Sequence, residues 1–148
     1  MALVPFDDRD GVIWMDGVMV PWREAKLHVL THGLHYASGV FEGERAYSGN
    51  IFKLREHTDR LIRSAEILGF VIPYTADEID AACRQVVAAN GLTEAYVRPI
   101  AWRGSEQLSV SAQGTTVHLA IACWAWPNLF GENRMEGIRL GMAPWRRP

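Results

Sequence analysis

The 148-residue sequence predicts an α+β fold, a two-layer sandwich of a mainly antiparallel sheet with two helices. Three observations lead there. Asp16-Gly17 separates two apolar runs in "VIWMDGVMV", the strongest short-range signal for a tight hairpin. Two central segments carry apolar residues at helical spacing. "AYVRPIAW" and "TVHLAIACW" follow them and read as strands. Strands, then helices, then strands suit an antiparallel sheet covered on one side.

The elements follow in order. After the first hairpin, "GVFEGERAYSGNIFKL" reads as a second, with Ser48-Gly49-Asn50 at its turn. Leu54, Leu61, Ala65 and Leu68 recur at helical spacing, and Gly69 stands where a C-terminal cap belongs. Thr75 and Glu78 form a capping box for a second helix, which places Ile79, Ala82 and Val86 on one face and stops at Asn90-Gly91. Pro99 should confine "AYVRPIAW" to an edge of the sheet or a bulge. "RGSEQLSVSAQG" is a polar loop, and "IRLGM" reads as a last strand. With no repeat, low-complexity tract or linker, residues 1–148 read as one domain. The ending "MAPWRRP" has no closing helix and reads as a chain cut inside a connecting segment.

Composition excludes several classes of function. At 49% hydrophobic and 22% charged residues, the chain can bury a core without disulfides or metal. A net charge of −2 gives no basic stripe for nucleic acid. Cys83 and Cys123 form no CxxC pair and are expected as buried free thiols in a reducing compartment. Met1–Asp10 lacks the basic start and apolar run of a signal peptide, and Leu119–Trp126 is too short to cross a bilayer. A cytoplasmic protein without a membrane partner is expected.

His28, His32 and His35 fall at i, i+4 and i+7, but Gly33 and Gly39 disfavour a helix there. No carboxylate or thiol completes a zinc set, so no metal is expected. No G-x-S-x-G surrounds Ser38, and no G-x-G-x-x-G or Walker loop is present. What remains is a pattern of rings and arginines on strands. Alternate strand residues share a face, so Phe41, Gly43 and Arg45 go together with Tyr47, as do Tyr96 and Arg98. Such a face suits a small amphipathic acid, with rings against its apolar part and guanidinium on its carboxylate. Core rings beside solvated edge arginines meet the same spacing, and spacing alone leans slightly to that plainer account.

Four motifs in order shift the balance. "LTHGLHYASGVFEGERAY", "REHTDRLIRSAEILGF", "LTEAYVRPIAWRG" and "WAWPNLFG" resemble the N-terminal half of branched-chain amino acid aminotransferases, which are fold-type IV, class IV pyridoxal phosphate enzymes. The resemblance runs from about Val12 to the end and implies the small N-terminal domain of that fold. D-amino acid aminotransferases and aminodeoxychorismate lyases are related alternatives, but they usually differ where this chain has "HYASGVFEG".

The resemblance implies specific roles. Tyr36 and Phe41 would wall a pocket for a branched aliphatic side chain, with Trp126 closing it. Gly43 would leave room beside Phe41, and Arg45 would brace that wall. Arg60, in "TDRL", would bind the cofactor phosphate, while Tyr96 would offer its hydroxyl to the substrate α-carboxylate. Arg98 would take the distal carboxylate of glutamate or 2-oxoglutarate. Leu108 and Val110 match positions that reach into the neighbouring subunit's pocket, which implies a homodimer. The implied reaction is a ping-pong transamination of leucine, isoleucine or valine with 2-oxoglutarate.

Two features qualify this. Where the family often has a tyrosine assisting dicarboxylate recognition, this chain has Leu129 and Phe130, which leaves the amino donor open. Its two lysines, Lys26 and Lys53, match no Schiff-base position of the family and are expected as solvated surface residues. The family's catalytic lysine is expected beyond Pro148, on a C-terminal domain absent from this chain, so the isolated chain is expected to be inactive. Two other classes stay open: a metal hydrolase using His28, His32 and His35, and a noncatalytic domain that binds a small acid.

Overall fold

A computed structural model describes residues 4–126, 135, 137 and 139–146. β1 (Val12–Met15) and β2 (Val18–Pro21) form the expected hairpin. Asp16 and Gly17 both have positive φ, 48° and 95°, the type I′ geometry that matches the twist of the strands. A single 3₁₀ turn, Trp22–Glu24, follows, then α1 (His32–Tyr36), β3 (Gly39–Phe41), β4 (Glu44–Tyr47) and β5 (Asn50–Ile51). After α2 (Leu54–Ile67) and α3 (Ala76–Ala89), the long strands β6 (Ala95–Arg103) and β7 (Val117–Ala125) complete the sheet. Its order is β2-β1-β7-β6-β4-β5, with β3 also paired to β6, and every pairing is antiparallel.

The helices begin and end where their local chemistry directs. Thr75 and Glu78 close a reciprocal capping box at the start of α3. At the end of α2, Gly69 takes φ 75°; its N–H donates to the Glu66 carbonyl, and that of Phe70 to the Ala65 carbonyl. This double cap turns the chain so that Phe70 enters the core, whereas Leu68, expected on the apolar stripe, is half exposed. Among the described residues, no helix is long and apolar enough to cross a membrane.

Three expectations need correction. β6 lies in the interior of the sheet, although it contains Pro99. The Glu42 N–H donates to the Pro99 carbonyl at 2.9 Å, and the return bond is the one proline cannot make. The facing strand is interrupted at Glu42–Gly43, while its register continues from Phe41↔Ile100 to Glu44↔Val97. The second hairpin is β4–β5: its turn is Ser48-Gly49, with Asn50 already paired to Tyr47, and β3 pairs only with β6. Arg139–Met142 form no strand; Leu140 and Met142 are almost fully exposed, and no sheet edge pairs with them.

α2 and α3 cover one face of the sheet. Leu61, Ala65, Ile79, Ala82 and Val86 pack there with Val97, Ala101, Leu119 and Ile121. Cys83 and Cys123 are free and buried among them. Asn90 ties α3 to β1: its Nδ2 donates to the Val12 and Val86 carbonyls at 3.0 and 2.8 Å, and its Oδ1 accepts the Val12 N–H at 2.9 Å. Asn90→Ala strands partly buried backbone groups of Val12 and should lower stability by about 1–3 kcal/mol, read from the urea midpoint.

Candidate functional site

The face of the sheet opposite the helices carries the site. Alternation and register place Phe41, Gly43 and Arg45 across from Ile100, Arg98 and Tyr96, and Tyr96 across from Trp124. The Tyr96 ring stacks on Trp126 at 4.7 Å and leans on Trp124 at 4.9 Å. The Arg98 guanidinium sits 4.2 Å above the Phe41 ring, and its Nη2 donates to the Tyr96 hydroxyl at 2.8 Å. That bond leaves the hydroxyl hydrogen free to donate outward.

Two guanidinium groups here have donors to spare. Arg98 Nε and Arg45 Nη1 are buried and, among the described residues, without a hydrogen-bond partner. Arg45 lies 5.4 Å from the Trp126 ring centre and 5.2 Å from that of Tyr47, and its nearest carboxylate oxygen, on Glu94, is 3.9 Å away. Buried N–H groups of a cation are costly to leave unmade, so the face is built to receive an acceptor. An apolar groove of about 190 Å³ runs beside Arg98, lined by Met15, Leu27, Ile100, Trp102, Ala120 and Ala122.

Gly43 explains the close approach. A Cβ there would stand 2.2 Å from the Tyr96 hydroxyl oxygen, so the absent side chain makes room for Tyr96 rather than for Phe41. On the helix side of the same strand break, buried Glu42 holds Arg60 through Nε and Nη2, the latter at 2.6 Å, and His57 Nδ1 lies 2.9 Å from its Oε2. Burial disfavours the Glu42 charge, but these bonds outweigh it and hold the carboxyl below the usual range. The Arg60 side chain is 65% exposed, with Nη1 left over.

Tyr36, Leu108 and Val110 stand in a separate group. Tyr36 ends α1, a short helix formed across Gly33 where the glycines were expected to disfavour one, and its ring leans on His32 at 4.6 Å. The loop bearing Leu108 and Val110 meets α1 through His32. The three histidines do not converge, because α1 spans only five residues: His28 Nδ1 accepts the Leu30 N–H, and His35 bonds to the Val29 carbonyl. Among the described residues, no three potential ligands gather for a metal. Lys53 is exposed in a pair with Glu56, and Lys26 is exposed as well. Leu129 and Phe130 lie outside the described residues.

Sequence reasoning missed Glu42, His57 and Trp124. Trp124 was within reach of it, being on a strand read from the sequence and two residues before Trp126. Glu42 and His57 are brought together only by the docking of α2 on the sheet.

Comparison with known proteins identifies the family. Residues 39–148 match the amino-transferase class IV family. The branched-chain-amino-acid aminotransferase of Pseudomonas aeruginosa is 49% identical over 145 residues, covering 95% of this chain and 47% of that protein. That of Escherichia coli K12 is 39% identical over 141 residues, 91% of this chain and 46% of that protein. Among solved structures, the branched-chain aminotransferase from Thermoproteus uzoniensis with norvaline superposes with a TM-score of 0.76 at 40% identity, over 80% of this chain and 42% of that one. The branched-chain amino acid aminotransferase from Thermobaculum terrenum in its PLP-form gives 0.70 at 28%, over 83% and 42%. The chain spans about half the length of the relatives it matches. With three quarters of its residues inside the family match and its sheet superposing on these structures, the chain belongs to the class IV aminotransferases and resembles their branched-chain members.

Proposed function

We propose that this chain is the N-terminal, substrate-side half of a pyridoxal phosphate-dependent aminotransferase that passes the amino group of leucine, isoleucine or valine to 2-oxoglutarate. The carrying observation is the pair of buried, unpartnered guanidinium donors on Arg98 and Arg45, set among Tyr96, Trp126 and Phe41. A carboxylate satisfies those donors, and the rings and the neighbouring groove take an aliphatic side chain. Arg98 grips the distal carboxylate of the dicarboxylic substrate, and Tyr96, polarised by Arg98, donates its hydroxyl to the α-carboxylate. Arg45 supports the wall that Phe41 and Trp126 form.

Arg60 fits the cofactor phosphate, since Glu42 fixes its plane and leaves Nη1 to donate. When bound, pyridoxal phosphate supplies an electron-withdrawing ring that lets the amino group change carriers. Lys53 is paired with Glu56 on the surface and Lys26 is exposed, and the lysine that joins the cofactor comes, on this reading, from a C-terminal domain outside this chain. Leu108 and Val110 complete the pocket of a second subunit in a homodimer. Two buried free thiols support a cytoplasmic setting.

The test is to express the reading frame continued past Pro148 and reduce it with borohydride in the presence of pyridoxal phosphate. A cofactor adduct on a lysine beyond residue 148, and none on the 148-residue chain alone, supports the reading; an adduct on Lys26 or Lys53 refutes it. In the complete enzyme, Arg98→Met should raise KM for 2-oxoglutarate about a hundredfold, the loss of a two-pronged charged contact, and change KM for leucine much less. Equal changes for both substrates would show that Arg98 does not read the distal carboxylate.

A further inference from the structure

His32 is the buried histidine of the "THGLHY" motif, 2% exposed. Its ring bridges two segments: Nδ1 lies 2.6 Å from the Ser38 hydroxyl oxygen and Nε2 3.0 Å from the Ser109 carbonyl oxygen. A carbonyl only accepts, so Nε2 carries a hydrogen, and in the neutral ring Nδ1 accepts from Ser38. The main chain reinforces the joint: the His32 N–H donates to the Gly104 carbonyl at 2.9 Å, and the Arg103 N–H to the Ser38 carbonyl at 3.0 Å.

Ser109 stands between Leu108 and Val110, which expose 44% and 86% of their surface, so packing does not hold them. Other bonds at the tip stay within the loop, from Gln107 Nε2 and Ser109 Oγ to the Ser111 carbonyl, both at 2.7 Å. The His32 ring thus ties the tip itself, at Ser109, to the buried part of the domain, while Arg103 Nη1 holds the base of the loop at the Ala112 carbonyl, 2.8 Å away. We infer that His32 is a positioning residue: through the Ser109 carbonyl it sets the place of the Leu108–Val110 apolar step presented to the neighbouring subunit's pocket. The destination of that step rests on the proposed function; the strut itself does not.

The test uses the complete enzyme. His32→Phe keeps a ring against Tyr36 but drops both bonds, whereas His32→Gln keeps an amide donor for Ser109. In His32→Phe, amide exchange over residues 107–110 should quicken about tenfold, with α3 and β7 unchanged. KM for leucine should rise about fivefold to tenfold while kcat stays within about twofold, and His32→Gln should recover much of both. Unchanged exchange overturns the strut. Faster exchange with an unaltered leucine KM, where Leu108→Ala raises that KM, overturns the positioning role. If Leu108→Ala and Val110→Ala also leave KM unchanged, the dimer-pocket reading fails, and the exchange result still decides the strut. Should His32→Phe not fold, Ser38→Ala, which frees one side of the ring, should quicken exchange about threefold, and no change there overturns the inference.

Discussion

Raising the pH from 5 to 9 should weaken the fold by about 3–5 kcal/mol through one carboxyl group, that of Glu44. Glu44 is 1% exposed on the helix side of β4, and among the described residues neither of its carboxyl oxygens has a partner. Burial, then repulsion from Glu42 and Asp80, pushes its pKa up from 4.5 to about 8. Asp80 is itself committed to Thr58 and Arg55, and the Cys83 thiol, also facing Glu44, is pushed well up by burial. The folded chain therefore keeps a proton that the unfolded chain releases above pH 4.5. Glu44 is neutral and harmless below that value. Its cost grows as pH rises through the window from 4.5 to about 8 and is complete above it. Glu44→Ile, a β-branched residue opposite Val97, should remove this cost and raise the urea midpoint most at pH 9. Equal shifts for wild type and variant between pH 5 and 9 would show that Glu44 does not titrate in the folded state.

Gly43→Ala should cost the complete enzyme about a hundredfold in kcat/KM, on the proposed function, with little loss of stability. The new methyl meets the Tyr96 hydroxyl at 2.2 Å and Cζ at 3.1 Å. Tyr96 has little freedom to yield, because Trp124 and Trp126 both lie against its ring. The ring has to tilt, breaking the 2.8 Å bond from Arg98 and displacing both groups that meet carboxylates. Steady-state kinetics with leucine, beside the urea midpoint of the same variant, separates this from unfolding. A variant with wild-type kcat/KM would show that the Tyr96 hydroxyl does not need its present place.

Much of the architecture was legible because its signals are local. Asp16-Gly17, the Thr75–Glu78 box and Gly69 each act within four residues of themselves, where backbone sterics and capping bonds dominate. Strand alternation likewise put Phe41, Gly43 and Arg45 on one face, and Tyr96 with Arg98. Pro99 misled because its rule concerns one missing bond, and a break in the facing strand at Glu42–Gly43 absorbs that loss in the sheet interior. Gly33 misled because its missing side chain, a weakness for a helix by itself, lets the five-residue α1 dock closely on Trp102 of β6.

The sequence by itself determined the first hairpin, the caps of the two long helices, which strand residues share a face, and which family the motifs resemble. Only the tertiary structure decided that Glu42 holds Arg60, that Gly43 makes room for the Tyr96 hydroxyl, and that His32 reaches Ser109 across 77 residues. The physical reason is range. Periodicity and caps are set by neighbours along the chain, whereas a buried polar group finds its partner only when separate elements pack and exclude water.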